Sequence, residues 1–307
     1  MLAGLFAIPI IGYLMLLTES LSTLVFLRAC MGVALAAFAS VAVAYMVEEL
    51  SSEAFTRAIG GYIAANSLGG IAGRVAGGIL TGYFDWHTAV FIISSFTLVC
   101  VIIVAFLLPK QEHFTPTRGL FFHHNRALFT HLSTPIVWVA MVIGGINFAL
   151  FVNLYSVMGF RLVAAPHHLP VALSALIFLC YLAGTFSSKW TGRWSAHFSP
   201  ILGMVLGTGL SMLGMLVAII ESIPAMLVGL LLISGGAFFT HTLAYAWVSQ
   251  KATTAKATAT ALYLVHYYVG GSIGGFFLLY CWQQGKWLPW WKADPSYTSL
   301  CLHYAGN

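Results

Sequence analysis

Long apolar stretches alternate with short polar clusters along this chain, and the apolar stretches repeat at the length of a membrane-spanning helix. A transmembrane helix needs about 17–25 mainly apolar residues. Nine stretches meet that requirement: 2–18, 22–46, 59–82, 88–109, 135–158, 171–188, 200–220, 224–249 and 257–281. The longest, 22–46 and 224–249, can span with tilt. Several connections are short enough to force antiparallel neighbours. One polar linker, 110–134, carries Pro116 and His113, His123, His124 and His131. It separates an N-terminal half bundle, 1–109, from a C-terminal one, 135–281. The tail, 282–307, holds Lys286, Trp287, Trp290, Trp291, Lys292 and Asp294, and is too polar and too brief for a clear tenth span.

The two halves share a repeat. Tyr62 to Gly73 aligns with Tyr263 to Gly274 at an offset of 201, with the Tyr and three Gly in register. Just upstream, Ala36 to Ser40 and Tyr45 face Gly236 to Thr240 and Tyr245. Parallel halves of this size, in a chain this apolar, point to a duplicated transporter. The offset pairs the second and third spans with the eighth and ninth. Counting outward, two helices are expected before residue 1 and one after the ninth, so the chain reads as the middle of a twelve-helix protein.

Composition closes off other classes. Hydrophobic residues make up 60% and charged residues 7%, against roughly 25% charged in a soluble domain. The modest basic excess is topological, and no nucleic-acid partner is expected. Arg57, Lys110, Arg118, Arg126, Lys189, Arg193, Lys251 and Lys256 fall on one set of loops. Arg161 alone falls on the other until the tail. The positive-inside rule makes the first set cytoplasmic and starts the chain inside. The five cysteines lack metal or redox spacing, so no metal or cofactor is expected. The N-terminus has no basic region followed by a small-residue cleavage site, so no signal peptide is expected.

Polar residues inside spans are expensive and mark pathways. Arg28 and Arg74 are the two intramembrane cations, expected at similar depth in the outer half. For Arg28 the readings are snorkelling or carbonyl binding, an anionic substrate, a carboxylate from another helix, or modulation of a proton site. Arg74 is likewise a candidate for proton coupling or the substrate cavity, although its place among glycines favours tight packing. His241 and His266 lie inside spans. His241, between Thr240 and Thr242, can carry a coupling proton because imidazole titrates near neutrality; a packing hydrogen bond is the alternative. Asn147 and Asn153 serve either a polar cavity or helix packing. The pairs His123–His124 and His167–His168 lack a carboxylate at ligand spacing. Gly69, Gly70, Gly73 and Gly77, with Gly60, Gly61 and Gly78, strip one helix of bulk. Gly270, Gly271 and Gly274, with Gly275, repeat part of this. Such small-residue faces allow close helix approach and would serve as sliding contacts in a rocking carrier.

With these residues in view, the chain resembles the major facilitator superfamily. Arg28-x-x-x-Gly32, preceded by Val25-Phe26-Leu27, resembles the family's fourth-helix motif. Gly60 to Gly78 resembles the glycine-rich antiporter motif of the fifth helix, without its Gly-Pro. Asp85-Trp86-His87 with Phe91 is similar to the loop before the sixth helix. Gly184 to Arg193 resembles a decayed loop between the eighth and ninth. The resemblance implies an all-α polytopic fold of two pseudo-symmetric bundles, with nine to ten of twelve helices present. It also implies a monomeric bacterial inner-membrane carrier exporting a small molecule, with protons as coupling ion, by alternating access. On that basis Arg28 carries over as the residue associated with proton coupling. The family's first two helices, its cytoplasmic Gly-x-x-x-Asp-x-x-Gly-Arg loop and its twelfth helix have no counterpart. A non-transporting remnant is therefore a rival reading. An integral-membrane enzyme is another, for which no acid–base pair or metal cluster appears.

Overall fold

The computed structural model describes residues 1–109, 129–252 and 256–283. Most of the linker expected at 110–134 and nearly all of the tail expected at 282–307 lie outside these residues, as do the Arg57 side chain and the surroundings of Gly60. The described chain is helical: α1 Leu2–Met15, α2 Leu21–Glu49, α3 Ser52–Tyr83, α4 Trp86–Leu107, α5 Pro135–Val163, α6 Val171–Ser174, α7 Tyr181–His197, α8 Pro200–Ala218, α9 Ile223–Lys251 and α10 Lys256–Gln283. A 3₁₀ stretch, Ala175–Cys180, joins α6 to α7. Among the described residues, seven helical runs are long and apolar enough to cross a membrane, so the expected count of nine to ten is not confirmed. At 14 residues α1 is short. The 32 residues of α3 are diluted by glycine, Asn66, Arg74 and other polar side chains.

Several helices also outrun their apolar cores. Lys189 and Arg193, expected in a loop, lie inside α7, and Arg161 lies in the last turn of α5. Polar flanks that hydropathy assigns to loops continue the helix because a backbone at the membrane boundary is best satisfied by its own i→i−4 bonds. Local signals fix the ends. Asp85 caps α4, accepting from the backbone N–H of His87 (3.0 Å) and Thr88 (3.2 Å), while the Thr88 hydroxyl donates to its other oxygen at 2.6 Å. The Thr88 side chain foremost, then these backbone donors, holds the Asp85 carboxyl below its usual range. Ser51 caps α3 through Ala54 N–H, and prolines open α5 and α8.

The chain divides into two compact units. The first comprises Met1–Arg118 with Pro170–Leu176. Here α1 packs on α2 and α4. Gly12 leaves room for the Ser94 side chain, and the Tyr13 hydroxyl pairs with Ser95 Oγ at 2.9 Å. On α3, Gly82 admits Ala172 of α6 so closely that a Cβ would lie 2.8 Å from Ala172 Cβ.

The second unit, Gly119–Leu169 with Ile177–Asn307, has its core on α5, α9 and α10, with Met141, Leu154, Tyr155, Leu230, Ile233 and Tyr263 fully buried. Glycines set its spacing. A Cβ on Gly214 would lie 2.7 Å from Gly229 O, and one on Gly229 would lie 2.6 Å from Gly214 O, so α8 and α9 touch backbone to backbone. They touch again further along, where a Cβ on Gly207 would lie 2.9 Å from Gly236 O. In lipid, where no hydrophobic force drives one apolar helix onto another, such approach supplies the van der Waals contact. Arg161 adds a polar clasp: Nη1 donates to Ala218 O at 2.7 Å and Nη2 to Ile219 O at 2.8 Å. These are carbonyls at the C-terminal end of α8, which have no intrahelical donor and carry the negative end of the helix dipole.

Candidate functional site

The polar residues of the second unit are organised by the same glycine packing. At Gly144 of α5 a Cβ would lie 2.6 Å from the ring of Tyr263, so only glycine admits that ring between α5 and α10. The ring is fully buried, and its hydroxyl reaches α9, where it meets His241 Nδ1 at 2.9 Å. The same hydroxyl donates to the His241 backbone carbonyl at 3.3 Å. A phenol has one proton to give. With that proton on the carbonyl, the phenol oxygen accepts from Nδ1–H. In that arrangement the imidazole is the Nδ1–H tautomer, with Nε2 lacking a hydrogen-bond partner among the described residues; with the phenol proton on Nδ1 instead, Nε2 carries the hydrogen.

A wall of rings flanks this histidine. His241 lies 4.2 Å, centroid to centroid, from Tyr267. Tyr267 stacks on Phe148 of α5 at 4.0 Å, and Tyr268 stands edge-on to both. Gly271 makes the stack possible, because a Cβ there would lie 2.5 Å from the Phe148 ring. Neither flanking threonine turns outward: Thr240 donates to Met204 O and Thr242 to Phe238 O.

The remaining sequence-derived residues fall in several places. Asn147 donates to Ala237 O at 2.8 Å, tying α5 to α9. Asn153 donates to Ala149 O on its own helix and to Gly271 O on α10 at 2.7 Å. Gly270 meets the backbone of Gly145, and a Cβ on Gly274 would lie 2.6 Å from Ala149. His266 Nδ1–H donates to Leu262 O at 2.8 Å. An apolar cavity of about 510 Å³ lies between α5, α8 and α9, lined by Asn147, Phe151, Thr208, Met212, Ile233 and Ala237 among others.

In the first unit, Arg28 is exposed seven residues into α2, about 10 Å along its axis, and Arg74 is exposed nine residues from the end of α3, about 13 Å. Arg74 Nη1 donates to Gly70 O at 2.9 Å. Gly69, Gly73 and Gly77 face open space, with nothing within 4 Å of a built Cβ. Sequence reasoning does not single out Tyr263, Tyr267 or Phe148 as functional candidates. Tyr263 is visible as a repeated tyrosine, but its contact with His241 depends on the α9–α10 register. The spacing of Phe148 looks like any apolar helix face.

Residues 1–275 match the family model described as Major Facilitator Superfamily. An uncharacterized transporter of Buchnera aphidicola subsp. Schizaphis graminum is 31% identical over 272 residues, covering 89% of this chain and 66% of the relative. The uncharacterized MFS-type transporter YybF of Bacillus subtilis is 32% identical over 275 residues, covering 88% and 67%. The inner membrane transport protein YnfM of Escherichia coli is 31% identical over 264 residues, covering 85% and 63%. A bacterial homolog of the human lysosomal transporter Spinster, solved in an inward-facing, unoccupied conformation, is similar at a TM-score of 0.66 and 15% identity. That match covers 89% of this chain and 66% of the other, and at this identity it shows the fold alone. The chain thus spans about two thirds of the length of these curated relatives.

Proposed function

Because this chain belongs to the Major Facilitator Superfamily, we propose that it is a proton-coupled secondary carrier that exports a small molecule by alternating access. Its named relatives are transporters, and it is not an enzyme. The inner-membrane description of the YnfM relative supports placement in a bacterial inner membrane. The carrier works as a monomer.

The observation that carries the proton reading is the hold on His241. With the Tyr263 proton given to the His241 carbonyl, Nδ1–H donates to the phenol oxygen, and Nε2 is the basic atom left to take a proton. Protonation there changes the charge of a helix packed against four others, α5, α7, α8 and α10. A carrier couples flux to protons when its two conformations bind the proton with different affinity, and a ring gripped at one nitrogen only can change surroundings at the other. Arg28, exposed on α2 without a hydrogen bond or ion pair among the described residues, remains the candidate for tuning that affinity or meeting an anionic substrate. The Asn147 and Asn153 amides, both given to backbone carbonyls, position the helices around the site.

The test is proton flux in vesicles containing the carrier, read with an internal pH dye under an imposed pH gradient. His241→Gln, which keeps a hydrogen-bonding side chain without a titrating one, should abolish substrate-dependent proton movement while preserving folding. Coupled flux at the wild-type level in that variant would remove His241 from the mechanism. Arg28→Ala should lose coupling and retain substrate binding; the reverse pattern reassigns Arg28 to the substrate.

A further inference from the structure

The first unit holds a cluster of ligating side chains away from its spans: Glu19, Asp85 and His87, where the α1–α2 turn meets the start of α4. Packing below the cluster sets its register. Gly12 of α1 leaves room for Ser94 of α4, and Tyr13 meets Ser95 at 2.9 Å and the Phe91 ring at 5.9 Å. The two helices run antiparallel, so seven residues onward from Gly12 and seven back from Ser94 bring Glu19 opposite His87. There Glu19 Oε1 lies 3.4 Å from His87 Nε2. The other ring nitrogen, Nδ1, faces Asp85 Oδ2 at 3.5 Å. The Asp85 carboxylate is held still, since Oδ2 accepts from the backbone N–H of His87 and Thr88 while Oδ1 accepts from the Thr88 hydroxyl. The Trp86 ring lies 3.7 Å from the imidazole, centroid to centroid and 30° from parallel, which limits how the imidazole can turn. Glu19 and Asp85 are the only Asp, Glu, Lys or Arg in 1–27 and 75–109, so no cation of these segments competes for the two carboxylates.

These are the parts of a metal site. Two ligands bound to zinc at about 2.0–2.1 Å and at the tetrahedral angle lie about 3.4 Å apart, which is the separation between Nε2 and Oε1. A histidine that ligates through one nitrogen gives its other N–H to a carboxylate, which fixes the ring and raises its basicity; Asp85 stands at that second nitrogen. The two carboxylates together balance the charge of a divalent ion. We propose that Glu19 Oε1 and His87 Nε2 bind a divalent transition-metal ion of the zinc type, with Asp85 orienting the imidazole and water completing the tetrahedron. Among the described residues no group of three His, Cys, Asp or Glu is placed to hold one ion, so this is a two-ligand site whose ion exchanges with solvent. Calcium and magnesium, which take oxygen shells, are not selected by an imidazole. In the orientation expected from the positive-inside rule, the turn lies on the outer face and meets external metal. The bound ion staples the α1–α2 turn to the first turn of α4. Two separate turns supply the ligands, so no local sequence spacing announces them.

The probe is zinc, added to the 307-residue chain in phosphatidylcholine nanodiscs at about pH 7.5, above the ordinary histidine range. The chain has 11 histidines, so the readout is local: modification of each histidine by diethyl pyrocarbonate, followed by peptide mass spectrometry. Zinc should protect His87 with a midpoint below about 1 mM, and magnesium should not. Glu19→Gln should abolish that protection, and Glu19→His, which supplies a nitrogen in place of the carboxylate, should restore it. Glu19 is 84% exposed, so its variants leave the packing of α1 on α4 intact. Asp85→Asn keeps a side chain able to cap α4 and should raise the midpoint by about tenfold or more, the usual loss for an outer-shell partner. Equal protection in wild type and Glu19→Gln overturns the proposal, because the imidazole would then bind zinc alone. Equal protection by magnesium, or none from zinc at about 1 mM, overturns it as well. An unchanged midpoint in Asp85→Asn removes Asp85 from the site.

Discussion

Gly69 and Gly270 occupy the same position of the internal repeat, yet the structure gives them opposite surroundings. Replacing each with Ala is the sharpest test of the packing described above. At Gly270 the added Cβ would overlap Gly145 O, and would lie 2.5 Å from Gly145 C and 2.6 Å from Gly145 Cα. Ordinary contact begins near 3.4 Å, so α10 must back away from α5 by about 1 Å over a seam that also holds Tyr263 and Phe148. The obstacle is backbone, which cannot rotate aside. Overpacking of this kind costs about 1–3 kcal/mol, and the upper end applies here. The gain in helix propensity, about 1 kcal/mol, leaves a net loss of about 2 kcal/mol. At Gly69 nothing lies within 4 Å, so only the propensity term acts and Ala should stabilise by up to about 1 kcal/mol. Thermal unfolding in detergent should therefore separate the two variants. At about 2–4 °C per kcal/mol for a unit of 150–250 residues, Gly270→Ala should melt about 4–8 °C below wild type, and Gly69→Ala at or slightly above it. Equal destabilisation of both would mean that repeat position, and not the neighbouring backbone, sets the cost.

Three further outcomes are expected. Arg161→Met should destabilise the second unit by about 2 kcal/mol, since two charge-assisted bonds to Ala218 and Ile219 carbonyls are lost; proteolysis between α8 and α9 should accelerate, and an unchanged cleavage rate would contradict the clasp. Asn153→Leu removes the donor to Gly271 O and should lower stability by about 1 kcal/mol, more than Asn153→Gln, measured by the same thermal assay. Asp85 gives a pH signature. Its carboxyl is held below the usual range in the folded chain, so its stabilising effect is complete above the unfolded value near pH 4 and is lost as pH falls through the lower folded value. Melting temperature should decline on that acid limb in wild type and decline less in Asp85→Ala; identical acid limbs would exclude the cap.

The membrane class, the all-helical fold and most helix positions are legible in the sequence because apolar length is a local property. Helix ends are less so: Arg161, Lys189 and Arg193 are polar, and hydropathy cannot tell a polar helix end from a loop. The glycine repeat cannot distinguish Gly69 from Gly270, since neighbours on other helices decide what a missing Cβ accommodates. His241 stands out as an ionisable side chain in a span. Its tautomer does not, because that depends on a tyrosine 22 positions away reaching back across a helix pair.

The two backbone contacts between α8 and α9, Gly214 with Gly229 and Gly207 with Gly236, lie seven residues apart on each helix. That interval is a heptad, about 10.5 Å of axial rise. Seven residues fall about 20° short of two full turns, so the two contacts lie nearly on one face of each helix. This is the spacing that a left-handed coiled coil keeps in register, here used once by an antiparallel pair whose contacting residues have no side chain to interdigitate. One alanine inserted between Gly207 and Gly214 would turn one glycine about 100° away from its mate and leave a methyl-bearing residue in its place.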